Sequence, residues 1–185
     1  MSRLSTIHPE AAAGKQRELL DAVQTKLGWV PNMMRTMAQS PAVLEGYLGL
    51  SQALAGGKLD ARVRQQLALA TAQANECTYC LSAHTAIGKQ VGLTPDELAA
   101  AREASAADPR THAALKFARL VIERRGDIGD GDVTAIRRAG FTEGEVAEII
   151  AHVALNIFTN YFNKAAEVEV DFPKVPLAGV KAETR

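Results

Sequence analysis

Cysteine is nearly absent from this chain: Cys77 and Cys80 are the only two among 185 residues. Two cysteines cannot staple a fold of this size, so stability has to come from an apolar core, which a chain this long can build unaided. Charge of one sign is not in excess either. Lys and Arg number 21, Asp and Glu 21, and the formal net charge is zero. Nucleic-acid binding rests on neutralising phosphates and leaves a basic excess or stripe. None is visible, and Arg124-Arg125 reads as a solvated helix end. Long hydrophobic runs are missing too. The longest, near residues 149–158, is interrupted by His152 and Asn156, and it is far short of the roughly 20 residues a membrane helix needs. Residues 1–9 contain no apolar core of a secretory signal. The expectation is therefore a cytoplasmic protein with neither nucleic acid nor membrane as partner. No GxGxxG or P-loop pattern occurs, so no nucleotide is implied, and no other cofactor is called for.

What is present is helical periodicity almost throughout. Leu19, Leu20, Val23 and Leu27 fall on one side of a helix over residues 9–27, which Gly28 and Pro31 end. Residues 32–39 and 41–55 follow, up to the stop at Gly56-Gly57. Asp60 can cap a helix to about residue 75, and another spans about 77–91 before Gly92. Thr94 with Glu97 three residues on makes a capping box. Helices at about 109–125 and 130–139 precede a long one over about 143–168, capped by Thr142. Pro173, Pro176 and Gly179 exclude a further long helix. No stretch alternates with the period of a strand. The prediction is an all-α protein: one helical redox domain of about eight helices over residues 1–170, with residues 171–185 as an extended tail.

Chemistry is concentrated in Asn75-Glu76-Cys77-Thr78-Tyr79-Cys80-Leu81-Ser82-Ala83-His84. On a helix, positions 77, 80 and 84 share one face, and His84 lies at contact distance from Cys80. Two cysteines one turn apart fall within the Cα separation a disulfide accepts. Only a thiolate attacks, and a free thiol of pKa about 8.5 is mostly protonated at neutral pH. A helix N-terminus lowers that pKa, which favours Cys77, while an imidazole can take the proton, which favours Cys80. In a reducing compartment a lone close pair is catalytic or metal-binding more often than structural. Three other readings compete with redox chemistry. Buried free cysteine can be plain core filler. A zinc site would need Cys77, Cys80, His84 and a fourth donor, for which His152 is the available residue. Covalent haem needs Cys-x-x-Cys-His, and Leu81 stands where that histidine belongs.

The run from Arg64 to Leu93, with Leu-Ala-Leu-Ala ahead of the dithiol, resembles the alkylhydroperoxidase D-like group of the carboxymuconolactone decarboxylase superfamily. Val30-Pro31-Asn32-Met33, Ser40-Pro41, His152 to Asn156 and Tyr161-Phe162-Asn163 agree with it, so the resemblance covers residues 28–173. It implies an all-α fold, a homo-oligomer (dimer, trimer or hexamer), and thiol-dependent reduction of a hydroperoxide. An external dithiol, lipoyl-type or thioredoxin-like, would return the enzyme to its reduced form. By the resemblance, Cys80 is the cysteine paired with histidine, Cys77 its partner and His84 that histidine. The family's proton-relay glutamate falls twelve residues before the first cysteine, where this chain has Gln65. A glutamine can orient an imidazole or hold a water but cannot serve as a carboxylate base. That departure keeps two alternatives open: a thiol–disulfide exchange protein, and a redox-sensing oligomer without enzymatic activity. Cys80 is the favoured attacking sulfur and Cys77 the resolving one.

Other residues carry weaker signals. His152, Asn156 and Asn160 recur every turn on an apolar helix, either as a buried polar seam or with His152 facing the dithiol. Tyr79 is expected in packing or a pocket wall, and Trp29, Met33 and Met34 in packing or at an apolar substrate entrance. His8 and His112 are expected on the surface. The acidic run from Asp127 to Asp132 fails as a calcium loop, with Arg138 where a bidentate glutamate is needed.

Overall fold

The computed structural model describes residues 2–178. Among them a 3₁₀ turn, Pro9–Ala11, and nine α-helices follow one another without a strand. The helices are α1 (Gly14–Leu27), α2 (Asn32–Met37), α3 (Pro41–Ala55), α4 (Ala61–Ala74), α5 (Thr78–Gln90), α6 (Pro95–Arg102), α7 (Pro109–Glu123), α8 (Asp130–Arg138) and α9 (Glu143–Ala166). The all-α expectation holds. Residues 9–27, expected as one helix, divide into the 3₁₀ turn and α1. Ala12 and Ala13 are extended and Ala12 is buried, while Gly14 takes φ +53°, a conformation that interrupts a helix at little cost only for glycine.

Local chemistry explains the helix starts. Asp60 Oδ1 accepts the Val63 N–H at 2.9 Å, and Thr94 and Thr142 each form reciprocal capping boxes with Glu97 and Glu145. The long last helix stops at Ala166, two residues before its expected end, because Glu167 turns left-handed at φ +48°. Among the described residues no helix is long and apolar enough to cross a membrane.

Helix α4 is the axis, packed against α5, α6, α7 and α9. Every residue from Gln66 to Ala72 is buried, which requires neighbours on all sides and small side chains that admit them. Leu67, Leu81, Leu115 and Ile149 meet around it with no exposed surface. Beyond α9 the chain crosses the body as a non-helical strap through residue 178. Asp171 Oδ2 accepts the Asn32 N–H at 2.5 Å, and the Val175 N–H donates to Ser82 Oγ at 3.0 Å. The Arg102 guanidinium donates to the Pro176 carbonyl at 2.7 Å. Phe172 sits edge-on to Trp29 and Tyr79, with ring centroids 5.2 and 5.7 Å away. The described part of the expected tail is thus docked, and its residues 179–185 lie outside the described residues.

Truncating Leu67 to Ala removes packing from the axis helix and is expected to lower unfolding free energy by about 2–5 kcal/mol in urea titrations. A loss below about 1 kcal/mol would show that α4 is not the centre of the core.

Candidate active site

The site begins at the corner between α4 and α5. Glu76 turns left-handed (φ +53°) after the end of α4, and the Cys77 N–H donates back to the Ala72 carbonyl at 2.9 Å. Reversing the chain there leaves Cys77 extended, as the residue that caps α5. Its Sγ accepts the Cys80 N–H at 3.3 Å, where a Ser or Asp oxygen would ordinarily sit. The helix expected from about Cys77 begins one residue later: Cys77 caps α5 and Cys80 is its third residue, so both stand at the helix N-terminus. The corner is tied to α9 by the Asn75 amide, which donates to Asn160 Oδ1 at 3.0 Å, and by Lys164 Nζ, which donates to the Asn75 carbonyl at 2.7 Å.

Cys80 opens onto a cavity of about 520 Å³ whose wall also includes Gln65, His84 and His152. Four of the five candidates from the sequence therefore come together. Cys77 is 1% exposed and does not line the cavity; it stands behind Cys80. Trp29, Met33 and Met34, expected in packing or at an apolar substrate entrance, form cavity wall, as does Tyr79, whose hydroxyl accepts the Met33 N–H at 3.1 Å. Glu76 is exposed and borders a different surface hollow with Arg102, so it does not stand in for Gln65. Both cysteines are free thiols.

Burial makes every charge in this cavity costly, and neutral donors compensate at one sulfur. Burial pushes the Cys80 thiol up, but its polar neighbours, Cys77 first and then Asn163, Asn160 and Thr159, outweigh it and hold Cys80 below its ordinary value. The Asn163 amide donates to Cys80 Sγ at 3.2 Å. Cys77 moves the opposite way, raised by its hydrogen bond to Cys80 and then by burial. Two thiols one turn apart cannot both ionise, and the surroundings select Cys80. His84 Nδ1 lies 2.8 Å from Gln65 Oε1, so this nitrogen carries the proton that the amide oxygen accepts and Nε2 is left as the basic nitrogen. Desolvation lowers its pKa to about 4, so the ring is neutral at neutral pH. No Cys80–His84 hydrogen bond is present among the described residues, and the Cys80 sulfur leans on the neutral Asn163 amide rather than on an imidazolium. His152 is also lowered, chiefly by burial, and its Nε2 has no partner among the described residues.

The carboxymuconolactone decarboxylase family model matches residues 41–123, which hold both cysteines, His84 and Gln65. The chain is similar to the alkylhydroperoxidase AhpD core of a peroxidase-related protein from Ralstonia eutropha JMP134, at 28% identity over 92% of each chain and a TM-score of 0.81. Over residues 41–123 the chain thus resembles the carboxymuconolactone decarboxylase family, and over most of its length it has an alkylhydroperoxidase D-like fold. Fold alone extends the likeness to a peroxidase-related protein from Silicibacter sp. TM1040, at 23% identity over 91% of each chain and a TM-score of 0.79. The same holds for the debrominase Bmp8, at 20% identity over 92% of this chain and 94% of that one, TM-score 0.76. No curated protein matches the chain.

Sequence reasoning missed Thr159, Asn163, Asp171 and Phe172. Extending the step from His152 through Asn156 and Asn160 by one further turn lands on Asn163, so that residue was within reach. The two strap residues carry no local signal. Among the described residues no three His, Cys, Asp or Glu side chains are placed to hold a metal ion, and the donors of the zinc alternative do not converge, since Cys77 faces away from the cavity that holds the histidines. His8 is exposed beside Arg35, as expected. His112 departs from its expected place on the surface: it is half-buried, and its Nδ1 accepts the Ala106 N–H at 3.4 Å, fixing the loop before α7.

The two thiols are expected to separate chemically. At neutral pH iodoacetamide should modify Cys80 well ahead of Cys77, read by peptide mass spectrometry, and ultraviolet thiolate titration should show one ionisation below the roughly 8.5 of free cysteine. Equal labelling, or Cys77 first, overturns the assignment.

Proposed function

We propose that this protein is a thiol-dependent peroxidase acting on hydroperoxides. The observation that carries the proposal is a single thiol, Cys80, held below its ordinary pKa by neutral donors and presented to a cavity, with a second free thiol sequestered behind it. The Cys80 thiolate attacks the terminal oxygen of the hydroperoxide. The sulfur–oxygen bond forms, the oxygen–oxygen bond breaks, and the remaining oxygen departs as an alcohol once protonated. Cys77 then displaces the sulfenic oxygen as water and closes the Cys77–Cys80 disulfide. The peroxide is reduced by two electrons, and an external dithiol restores them by exchange.

Access favours a slender donor. Cys77 is sealed, so the donor thiolate has to reach the Cys80 sulfur along the cavity, which suits a lipoyl-type arm better than the broad face of a thioredoxin-like protein. The cavity is much larger than hydrogen peroxide needs, and its aromatic and Met wall suits an organic hydroperoxide. A reducing compartment, the cytoplasm, fits a dithiol that must begin each cycle open. The proposal includes a homo-oligomer, supported by exposed Leu50 on α3 and Ile150, Phe158 and Tyr161 on α9, two helices packed together. Gln65 favours one second reading, disulfide exchange without peroxidase turnover, because it fixes the imidazole but supplies no carboxylate.

Reduced protein mixed with an organic hydroperoxide and no donor should lose both thiols in one turnover and gain one disulfide by mass spectrometry. Cys80→Ser should abolish the loss, and Cys77→Ser should stop at a dimedone-trappable sulfenic acid. Thiols that persist under peroxide yet exchange with a small disulfide would replace the peroxidase reading by the exchange reading. Gln65→Glu should raise the single-turnover rate several-fold; an unchanged rate would show that the relay is complete without it.

A further inference from the structure

Three buried polar atoms without a hydrogen-bond partner among the described residues belong to residues of the cavity wall: His152 Nε2, Asn163 Oδ1 and Asp171 Oδ1. Two of the three are acceptors. An unpaired buried acceptor is costly, and three such residues around one cavity point to a bound molecule that supplies the missing donors. Asp171 stands apart from the other two. It is the one carboxylate in the wall among the described residues, and it arrives from the strap, remote in sequence from the dithiol.

Its surroundings fix one oxygen and leave the other open. Oδ2 accepts the Asn32 N–H at 2.5 Å. Neighbouring Phe172 is clamped edge-on between Trp29 and Tyr79, and Val175 is tied to Ser82, so the strap is anchored on both sides of the carboxylate. Asp171 also lies beside the Tyr79 hydroxyl; burial is the main cause that raises this phenol, and the charge of Asp171 and its hydrogen bonding with the hydroxyl add to it, so Tyr79 stays protonated. Sulfur, hydroxyl and carboxylate belong to residues that line the same cavity.

A hydroperoxide carries one strong donor, the O–H on the oxygen that sulfur attacks. It also has one need at the moment of bond breaking, a proton on the oxygen that leaves. A carboxylate oxygen can accept the first and supply the second, whereas the Gln65 amide oxygen is engaged by His84 and cannot carry a proton. We propose that Asp171 is a catalytic residue of this site, whose Oδ1 binds the hydroperoxide O–H and carries that proton to the leaving oxygen as Cys80 attacks. In that step the Cys80 thiolate and ROOH become the Cys80 sulfenate and ROH. The sulfur–oxygen bond forms, the oxygen–oxygen pair passes to the leaving oxygen, the proton moves between the two oxygens by way of Asp171, and the negative charge ends on the sulfenate. No outside proton is consumed.

This inference rests on the peroxidase reading, and the experiment separates the two. Reduced wild type, Asp171→Asn, Asp171→Glu and Ser82→Ala are compared in single-turnover reaction with cumene hydroperoxide, beside iodoacetamide labelling of Cys80. Asp171→Asn keeps the shape and the bond from Asn32 but cannot carry a proton. Its peroxide rate should fall at least tenfold while labelling is no slower than wild type, since removing a nearby negative charge eases thiolate formation. Asp171→Glu should recover part of the rate. Ser82→Ala loosens the strap without touching the carboxylate and should stay within about threefold of wild type. A peroxide rate in Asp171→Asn equal to wild type overturns the role of Asp171 and leaves the peroxidase reading standing. A parallel fall of peroxide rate and labelling, or a Ser82→Ala loss as deep as that of Asp171→Asn, also overturns it, because the carboxylate then only holds the strap. A wild type that does not react with the peroxide overturns both.

Discussion

A buried sulfur that is to ionise has to be stabilised by something other than bulk water, and the arrangement around Cys80 follows from that constraint. Each contributing group is neutral. The Asn163 amide donates to the sulfur, and Cys77, Asn160 and Thr159 add to the effect. Neutral donors carry little desolvation cost of their own, whereas a buried imidazolium would need its charge compensated in turn. The low basicity of His84 agrees with this division of labour: the ring is held by Gln65 and kept uncharged.

The same constraint gives α9 its composition. A helix with Ile149, Val153 and Leu155 buried would ordinarily show an unbroken apolar face, yet His152, Asn156, Asn160 and Asn163 interrupt it every turn. Two of those amides face the dithiol corner: Asn160 accepts from Asn75 beside it, and Asn163 donates to Cys80. The third, Asn156, is satisfied within the helix by the His152 carbonyl at 2.8 Å. The polar seam therefore serves the sulfur at one end and leaves His152 open to the cavity at the other. Axis helix α4 fixes the spacing of α5 and α9, so the core that stabilises the protein also sets the geometry of the thiol.

The asymmetry between the two cysteines has a backbone origin. A left-handed residue, Glu76, reverses the chain before the dithiol, and Cys77 becomes a cap instead of a helical residue. A periodicity argument treats positions 77, 80 and 84 as one helical face. The structure keeps that face for Cys80 and His84 and withdraws Cys77 from it.

Most of the fold was legible because its determinants are local. Capping at Asp60, Thr94 and Thr142, and breaks at Gly28 and Gly56, act within a few residues of where they stand. The dithiol, His84 and Gln65 were legible for the same reason, since they lie on two successive helices of one hairpin. What the amino-acid order alone determined, then, was the helical class, the helix starts, and the pairing of a CxxC with a histidine one turn on. Which thiol the surroundings favour for ionisation was decided only by the tertiary structure, and so were the withdrawal of Cys77 and the arrival of Asn163, Asp171 and Phe172 at the cavity. Those outcomes depend on burial and on contacts between segments more than 80 residues apart, and neither periodicity nor spacing along a chain carries that information.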